Sequence, residues 1–146
     1  MKRFPLWLKG IAGLFILFLL IQLVPYGRSH SNPPVLSEPA WDSPATRDLA
    51  ARACFDCHSN QTVYPWYSQV APVSWLLQHD VDEGRSRLNF SEWAQGGSLH
   101  FDSLQNVIQE GEMPPAVYLP MYPRARLTDA EKVQLLQGLQ ITLGNP

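Results

Sequence analysis

Residues 54–60 read CFDCHSN, with two cysteines two residues apart and a histidine directly after the second. Three kinds of site use such a pattern: a redox dithiol, half of a zinc site, and a point of covalent haem attachment. These cysteines are the only two in the 146-residue chain. The remainder of the sequence therefore has to distinguish between the three.

The rest of the chain favours haem, with the dithiol and zinc sites as alternatives. A thioredoxin-like dithiol requires a βαβ context, and no sustained two-residue alternation predicts strands here. A structural zinc site normally has four ligands, but no second cysteine pair is present. A disulfide across two intervening residues would close a tight, strained loop. The CxxCH pattern predicts one covalent haem c, attached to the thiols of Cys54 and Cys57 with His58 as axial iron ligand.

A second iron ligand is predicted in EGEMPPAVY, residues 110–118. Met113 precedes two prolines, each of which restricts φ, so the weak thioether ligand would be held on a stiff segment. Packing of Met113 in the core is the alternative. Weaker candidates for this ligand are Met121, His79, His100 and His30. Haem propionates could pair with Arg85 and Arg87, with a solvated surface as the alternative for both. Walls of the haem crevice, or of the core, are predicted from Trp66, Trp75, Trp93, Tyr64 and Tyr67.

Helix signals recur along the chain and predict a small all-α, cytochrome c-like domain with long loops. Ser43-Pro44 is typical of a helix start, with the helix running to about Ala53. Further helices are predicted from Pro72 to a stop at Gly84, and over 98–110 with Gly111 as terminator. Thr128-Asp129-Ala130-Glu131 forms a capping box before the last helix, whose predicted apolar face comprises Val133, Leu136, Leu139 and Leu143.

The N-terminal region is strongly apolar. Residues 10–24 carry no charge, and Lys2, Arg3 and Lys9 lie at the start of the apolar run. About twenty apolar residues can cross a hydrocarbon core of roughly 30 Å, and flanking positive charges mark the cytoplasmic end. We therefore predict a single-pass anchor in a bacterial inner membrane over 1–24, a proline-rich linker over 25–42, and a periplasmic haem domain over 43–146. A cleaved signal peptide is the alternative, although bulky residues follow the apolar run.

The charge balance bears on the partners of the domain. After residue 24 there are eight basic and thirteen acidic residues, a net charge of −5 with histidine neutral. Nucleic-acid binding requires basic patches, so a nucleic-acid partner is not expected. The predicted partners are redox proteins at the periplasmic face and the lipid bilayer itself.

Longer stretches of the chain resemble one family. They are LVPYGRSHSNPPV at 23–35, the block CFDCHSNQTVYPWYSQVAPVSWLLQHDVDEGRSRLNFSEW at 54–93, EGEMPP at 110–115 and LTDAEK at 127–132. The chain resembles the bacterial haem-binding domain family, a group of small membrane-anchored proteins similar to c-type cytochromes. The resemblance implies covalent haem at Cys54 and Cys57 with His58 as ligand. The sequence departs from the family at Tyr122, where members often have histidine.

The predicted function is one-electron transfer rather than enzyme catalysis. Histidine and methionine ligation raises the reduction potential and leaves no open iron site. A haem-based redox or gas sensor, with a displaceable sixth ligand, is the alternative. A peroxidase ranks third, because no distal histidine is convincingly paired with an arginine.

Overall fold

The computed structural model describes residues 5–95 and 101–144, and this part of the chain consists of helices and irregular segments without a β-strand. The α-helices are α1 (Leu6–Ile21), α2 (Pro44–Ala53), α3 (Phe55–His58), α4 (Val73–Arg87), α5 (Phe101–Gln109) and α6 (Asp129–Gly144). Short 3-10 turns and one isolated bridge between Ser37 and Glu92 complete the regular structure. The predicted all-α class is confirmed.

The chain divides into two compact units. The first comprises Met1–Ser31 and Tyr64–Asp80, and the second comprises Asn32–Val63 and Val81–Pro146. The second unit contains α2, α3, α5 and α6, together with the CxxCH motif and Met113. The boundaries predicted from the sequence, after residues 24 and 42, stay predictions.

Helix α1 is shorter than the apolar run that encodes it. Its sixteen residues span about 24 Å, whereas a hydrocarbon core of roughly 30 Å needs about twenty. The helix ends before Gln22, whose side-chain amide donates to the Ala71 carbonyl (2.9 Å) and accepts from the Ala71 N–H (3.0 Å). Among the residues described, no helix combines the length and the hydropathy needed to cross a membrane. The predicted membrane-spanning anchor and single-pass membrane location are therefore wrong.

The predicted helix starts of α2 and α6 are confirmed by their side-chain caps. The Ser43 hydroxyl accepts from the Thr46 N–H at 3.2 Å, at the first turn of α2. In the capping box of α6, the Thr128 N–H donates to the Glu131 carboxylate (2.8 Å) and the Glu131 N–H donates to the Thr128 hydroxyl (3.2 Å). Each cap satisfies donors that a helix start leaves unpaired.

The second unit has its own hydrophobic core. The buried side chains of the cluster are Leu49, Ala50, Phe55, Leu88, Phe90, Ile108, Leu127, Leu135, Leu136 and Leu139. Of the apolar face predicted for α6, Leu136 and Leu139 are buried, whereas Val133 is 55% exposed and the unpredicted Leu135 is 1% exposed. Apolar residues surround much of this helix, so periodicity alone did not define the face that packs on α2 and α5.

Candidate functional site

The CxxCH motif folds as one helical turn immediately after α2. The Cys54 carbonyl accepts from the N–H groups of Cys57 (3.1 Å) and His58 (2.8 Å). Residues at positions i, i+3 and i+4 of a helix lie on the same side. This spacing favours one side for the two thiols and the imidazole of residues 54–58, which we call the attachment turn.

The His58 ring is oriented by backbone carbonyls. Its Nδ1 lies 2.9 Å from the Gly84 carbonyl oxygen and 3.1 Å from that of Leu88. A carbonyl oxygen can only accept, so Nδ1 carries the proton and Nε2 keeps its lone pair. Burial lowers the pKa of His58, which favours the neutral ring. A neutral imidazole whose second nitrogen donates to a carbonyl is the form in which histidine binds metals.

Gly84 is the point of closest approach between α4 and the attachment turn. A Cβ atom at this position would lie 2.4 Å from the Cys57 carbonyl oxygen and 3.0 Å from the Cys57 Cβ. Helix α4 continues past Gly84 to Arg87, so the predicted stop at this glycine is wrong. Glycine was expected to end the helix because of its low helix propensity. Its role here is to permit a close contact between two backbones.

The environment of the cysteines bears on the alternative sites. No disulfide joins Cys54 and Cys57. Burial, with a smaller contribution from Cys57, raises the pKa of the Cys54 thiol to about 12. A reactive dithiol requires a lowered thiol pKa, so these surroundings are unfavourable for that chemistry. Within the described ranges, no three His, Cys, Asp or Glu side chains are grouped so that they could hold a metal ion.

In the loop after the attachment turn, Asn60 is 3% exposed, and both ends of its side-chain amide form hydrogen bonds. Its side-chain amide donates to the Pro34 carbonyl (3.0 Å) and to the Glu92 carboxylate (2.9 Å), and its oxygen accepts from Asn89 (2.9 Å). The Asn60 N–H donates to the Ser91 hydroxyl at 2.9 Å. The segment that follows His58 is thereby held on residues 89–92. Sequence reasoning missed Asn60, which has no motif of its own.

The two arginines proposed for haem propionates differ in their surroundings. Arg85 donates to the Ser59 carbonyl (2.9 Å), the Thr62 hydroxyl (3.1 Å) and the Asn32 side chain (2.9 Å). It therefore supports the loop after the attachment turn. Arg87 is exposed and pairs with Glu83 one helical turn away.

Asp56, between the two cysteines, connects the attachment turn with a distant tyrosine. One carboxylate oxygen accepts from the Val63 N–H (2.9 Å) and the other from the Tyr118 hydroxyl (2.5 Å). The Tyr122 hydroxyl donates to the Val63 carbonyl (3.0 Å), and the rings of the two tyrosines stack at 4.4 Å. Sequence reasoning missed Asp56 and Tyr118. The only local signal was an acidic residue inside the motif.

Met113 follows α5 on a loop over residues 111–122, which we call the methionine loop. Gly111 has a φ of +75°, the Glu112 N–H donates to the Val107 carbonyl (2.9 Å), and the Gly111 N–H donates to the Ile108 carbonyl (3.3 Å). This pattern is a Schellman helix end and confirms Gly111 as terminator. The Met113 side chain is 39% exposed. Its assignment as an iron ligand stays a prediction.

The weaker ligand candidates lie in different environments. Met121 is 56% exposed, and His79 is exposed on α4. His30 lies within hydrogen-bonding distance of the Ser68 carbonyl (3.2 Å) and the Gln69 side chain (2.8 Å). His100 lies outside the described residues.

The aromatic side chains predicted to wall a haem crevice are divided between the two units. Trp66, Trp75, Tyr64 and Tyr67 belong to the first unit. There Tyr64 stacks on His30 with ring centroids 4.2 Å apart, and Trp66 is 82% exposed. Trp93 belongs to the second unit, where it stacks on Phe90 at 6.1 Å. Trp93 therefore contributes to the aromatic part of the core. Phe55 belongs to the same core and lies between the two cysteines in the sequence.

Comparison with known proteins identifies the family. No match was found among curated proteins or among solved structures. The sequence model of the haem-binding domain family matches residues 16–141, which include the attachment turn and the methionine loop. The match covers most of the chain and confirms the resemblance found from the sequence. The chain belongs to the haem-binding domain family.

Proposed function

We propose that this protein is a monohaem c-type cytochrome that carries one electron at a time, with haem attached through Cys54 and Cys57. The observation that carries this proposal is the orientation of His58. Its Nδ1–H is directed to backbone carbonyls, so Nε2 is available as an iron ligand. The spacing of residues 54, 57 and 58 along a helical turn supports a position for this ring on the same side as both thiols.

The chemistry of the donor set fits a haem. Cys54 and Cys57 would hold the group through thioether bonds, for which the sulfur and hydrogen of each thiol would add across one vinyl double bond of haem without an oxidant. The raised pKa of Cys54 indicates that this sulfur is a protonated thiol at neutral pH. Aromatic and aliphatic side chains of the core lie beside the turn, as an apolar cofactor requires. When bound, haem supplies a one-electron couple at its iron.

We propose Met113 as the sixth ligand. The methionine loop is stiffened by Pro114 and Pro115 and is connected through Tyr118 to the attachment turn. A thioether opposite histidine raises the reduction potential and closes the iron to substrates, so we propose a carrier and not an enzyme. Redox proteins are the proposed partners, and the acidic charge balance argues against nucleic acid.

One observation favours the alternative, a sensor with a displaceable sixth ligand. The Met113 side chain is 39% exposed, so solvent and small ligands have access to it. Carbon monoxide separates the two functions. A carrier with stable sulfur ligation binds it slowly in the ferrous state, whereas a sensor binds it readily.

The attachment proposal is tested by extracting haem from the full-length protein. Haem should stay with the polypeptide through denaturation and acidic organic extraction. The double substitution Cys54→Ala/Cys57→Ala should leave none attached, whereas Ser86→Ala, at an exposed position of α4, should behave as the wild type. Free extraction of haem from the wild-type protein would rule out thioether attachment and return the dithiol to consideration.

A further inference from the structure

We propose that Tyr118 is a positioning residue for the sixth iron ligand. Through its hydrogen bond to Asp56, it joins the methionine loop to the attachment turn and so controls how firmly sulfur is held on the iron. The inference rests on the proposed function, because it assumes that Met113 is that ligand.

Asp56 is a fixed acceptor within the attachment turn. It lies between the cysteines on α3, and its side chain is 14% exposed. One oxygen is already bonded to the Val63 N–H at 2.9 Å, which orients the carboxylate. The other accepts from Tyr118 at 2.5 Å. Hydrogen bonds to carboxylates are stronger than neutral ones, and limited solvent access strengthens them further.

Tyr118 is closely coupled to Met113 along the chain. Only four residues separate them, and two of these are Pro114 and Pro115. The Tyr118 N–H donates to the Pro115 carbonyl at 2.9 Å, which closes a turn within the loop. Because the intervening backbone has few free torsions, the position of the phenol constrains the position of Met113.

The Tyr118 hydroxyl is suited to act as a permanent donor. Burial, followed by the hydrogen bond to Asp56, raises the pKa of Tyr118 above its ordinary value of 10, so the hydroxyl keeps its proton. The ring is additionally stacked on Tyr122, with centroids 4.4 Å apart. Phenylalanine at position 118 would keep this stacking and the apolar contacts while removing the bond to Asp56.

The test uses the haem-loaded full-length protein and its Tyr118→Phe variant. Methionine ligation gives ferric haem a weak absorption band at the red end of the visible spectrum, and this sulfur band should diminish in the variant. Carbon monoxide should bind the ferrous variant about tenfold faster. A hydrogen bond to a charged group shifts the equilibrium between bound and dissociated sulfur by at least that factor, and only iron without sulfur binds carbon monoxide. Covalent haem content should be unchanged. Asp56→Asn should have a similar effect, and the double variant should show less than the sum of the two.

A matched control separates positioning from general loss of stability. Glu131→Gln weakens the capping box of α6 and the ion pair with Arg52, neither of which includes a residue of the methionine loop. It should lower the thermal midpoint without altering the sulfur band. A Tyr118→Phe protein with wild-type band and carbon monoxide rate would overturn this inference alone. A wild-type protein without the band would overturn Met113 ligation, and the inference with it.

Discussion

The attachment turn and the methionine loop are held by different kinds of contact. In the turn, backbone groups set the geometry, because His58 bonds to the carbonyls of Gly84 and Leu88 and its own carbonyl accepts from the Phe90 N–H. In the methionine loop, a phenol hydroxyl provides the connection to Asp56. Backbone contacts survive most substitutions, whereas one lost hydroxyl removes a side-chain contact. We therefore expect the proximal ligand to be rigid and the sixth ligand to be adjustable.

The largest effect is expected from Gly84→Val, which disrupts the packing of α4 on the attachment turn. Its Cβ would clash with the Cys57 carbonyl, so α4 must move away from the attachment turn. We expect a loss of about 3 kcal/mol in the free energy of unfolding, by analogy with overpacked cores, together with reduced haem incorporation. Denaturant unfolding and haem content measure both.

The matched control for this prediction is Gly10→Val. An added Cβ at Gly10 on α1 meets no atom within 4 Å, so its unfolding should resemble that of the wild type. Equal behaviour of the two variants would show that α4 does not need the close approach at Gly84.

A smaller loss is expected from Asn60→Ala, which removes the support behind His58. The substitution removes the hydrogen bonds of the buried Asn60 side chain with Pro34, Asn89 and Glu92, which are themselves exposed or partly buried. A protein hydrogen bond contributes about 1 kcal/mol net, so we expect a loss of about 2 kcal/mol in the free energy of unfolding. The exposed neighbour Gln61→Ala is the control. If both substitutions have the same effect on the thermal midpoint, Asn60 does not stabilise the turn.

Met113→Ala should have a small effect on the free energy of unfolding and a large effect on the ligation of the iron. Because the side chain is 39% exposed, its removal should change the free energy of unfolding by less than about 1 kcal/mol. The red-edge sulfur band should vanish, the reduction potential should fall, and carbon monoxide should bind readily. Met121→Ala, at an exposed position of the same loop, should retain all three wild-type properties.

The smallest effect is expected for Glu131, outside both regions. Its hydrogen bond from the Thr128 N–H, followed by the contact with Arg52, lowers the pKa of Glu131 from 4.5 to about 2. A lowered folded-state pKa stabilises the fold above pH 4.5, and this contribution is lost as pH falls from 4.5 toward 2. Glu131→Gln should flatten the decline of the thermal midpoint over that range. A parallel decline in both proteins would contradict this account.

Local signals in the sequence predicted local structure well. Ser43, Gly111 and the pair Thr128 and Glu131 act on backbone groups within a few residues of themselves, so their effects follow from spacing. The attachment turn belongs to the same class, because the three side chains proposed to hold haem lie within five residues. The helical form of the turn follows from this short segment, and the spacing favours one side for all three.

Predictions failed where a remote segment determined the outcome. Gly84 has the residue type of a helix stop, but its contact with Cys57 makes it a place where two backbones meet. Helix α1 ends at Ile21, before the apolar run does, and the next residue, Gln22, bonds to a backbone segment 49 residues away. Periodicity also predicted that Val133 is buried in the core. In the structure Val133 is exposed, and Leu135 is buried instead.

The sequence by itself determined the spacing of the CxxCH motif, the all-α class and the caps that begin α2 and α6. Each depends on residue types at short, defined spacings, which the backbone geometry of a helix converts directly into position. Only the tertiary structure decided which nitrogen of His58 is available, because the carbonyls that accept from Nδ1 lie 26 and 30 residues away. It also decided that Tyr118 meets Asp56 across 62 residues. Such contacts have no sequence pattern, since they form only when the packing of the helices brings the partners together.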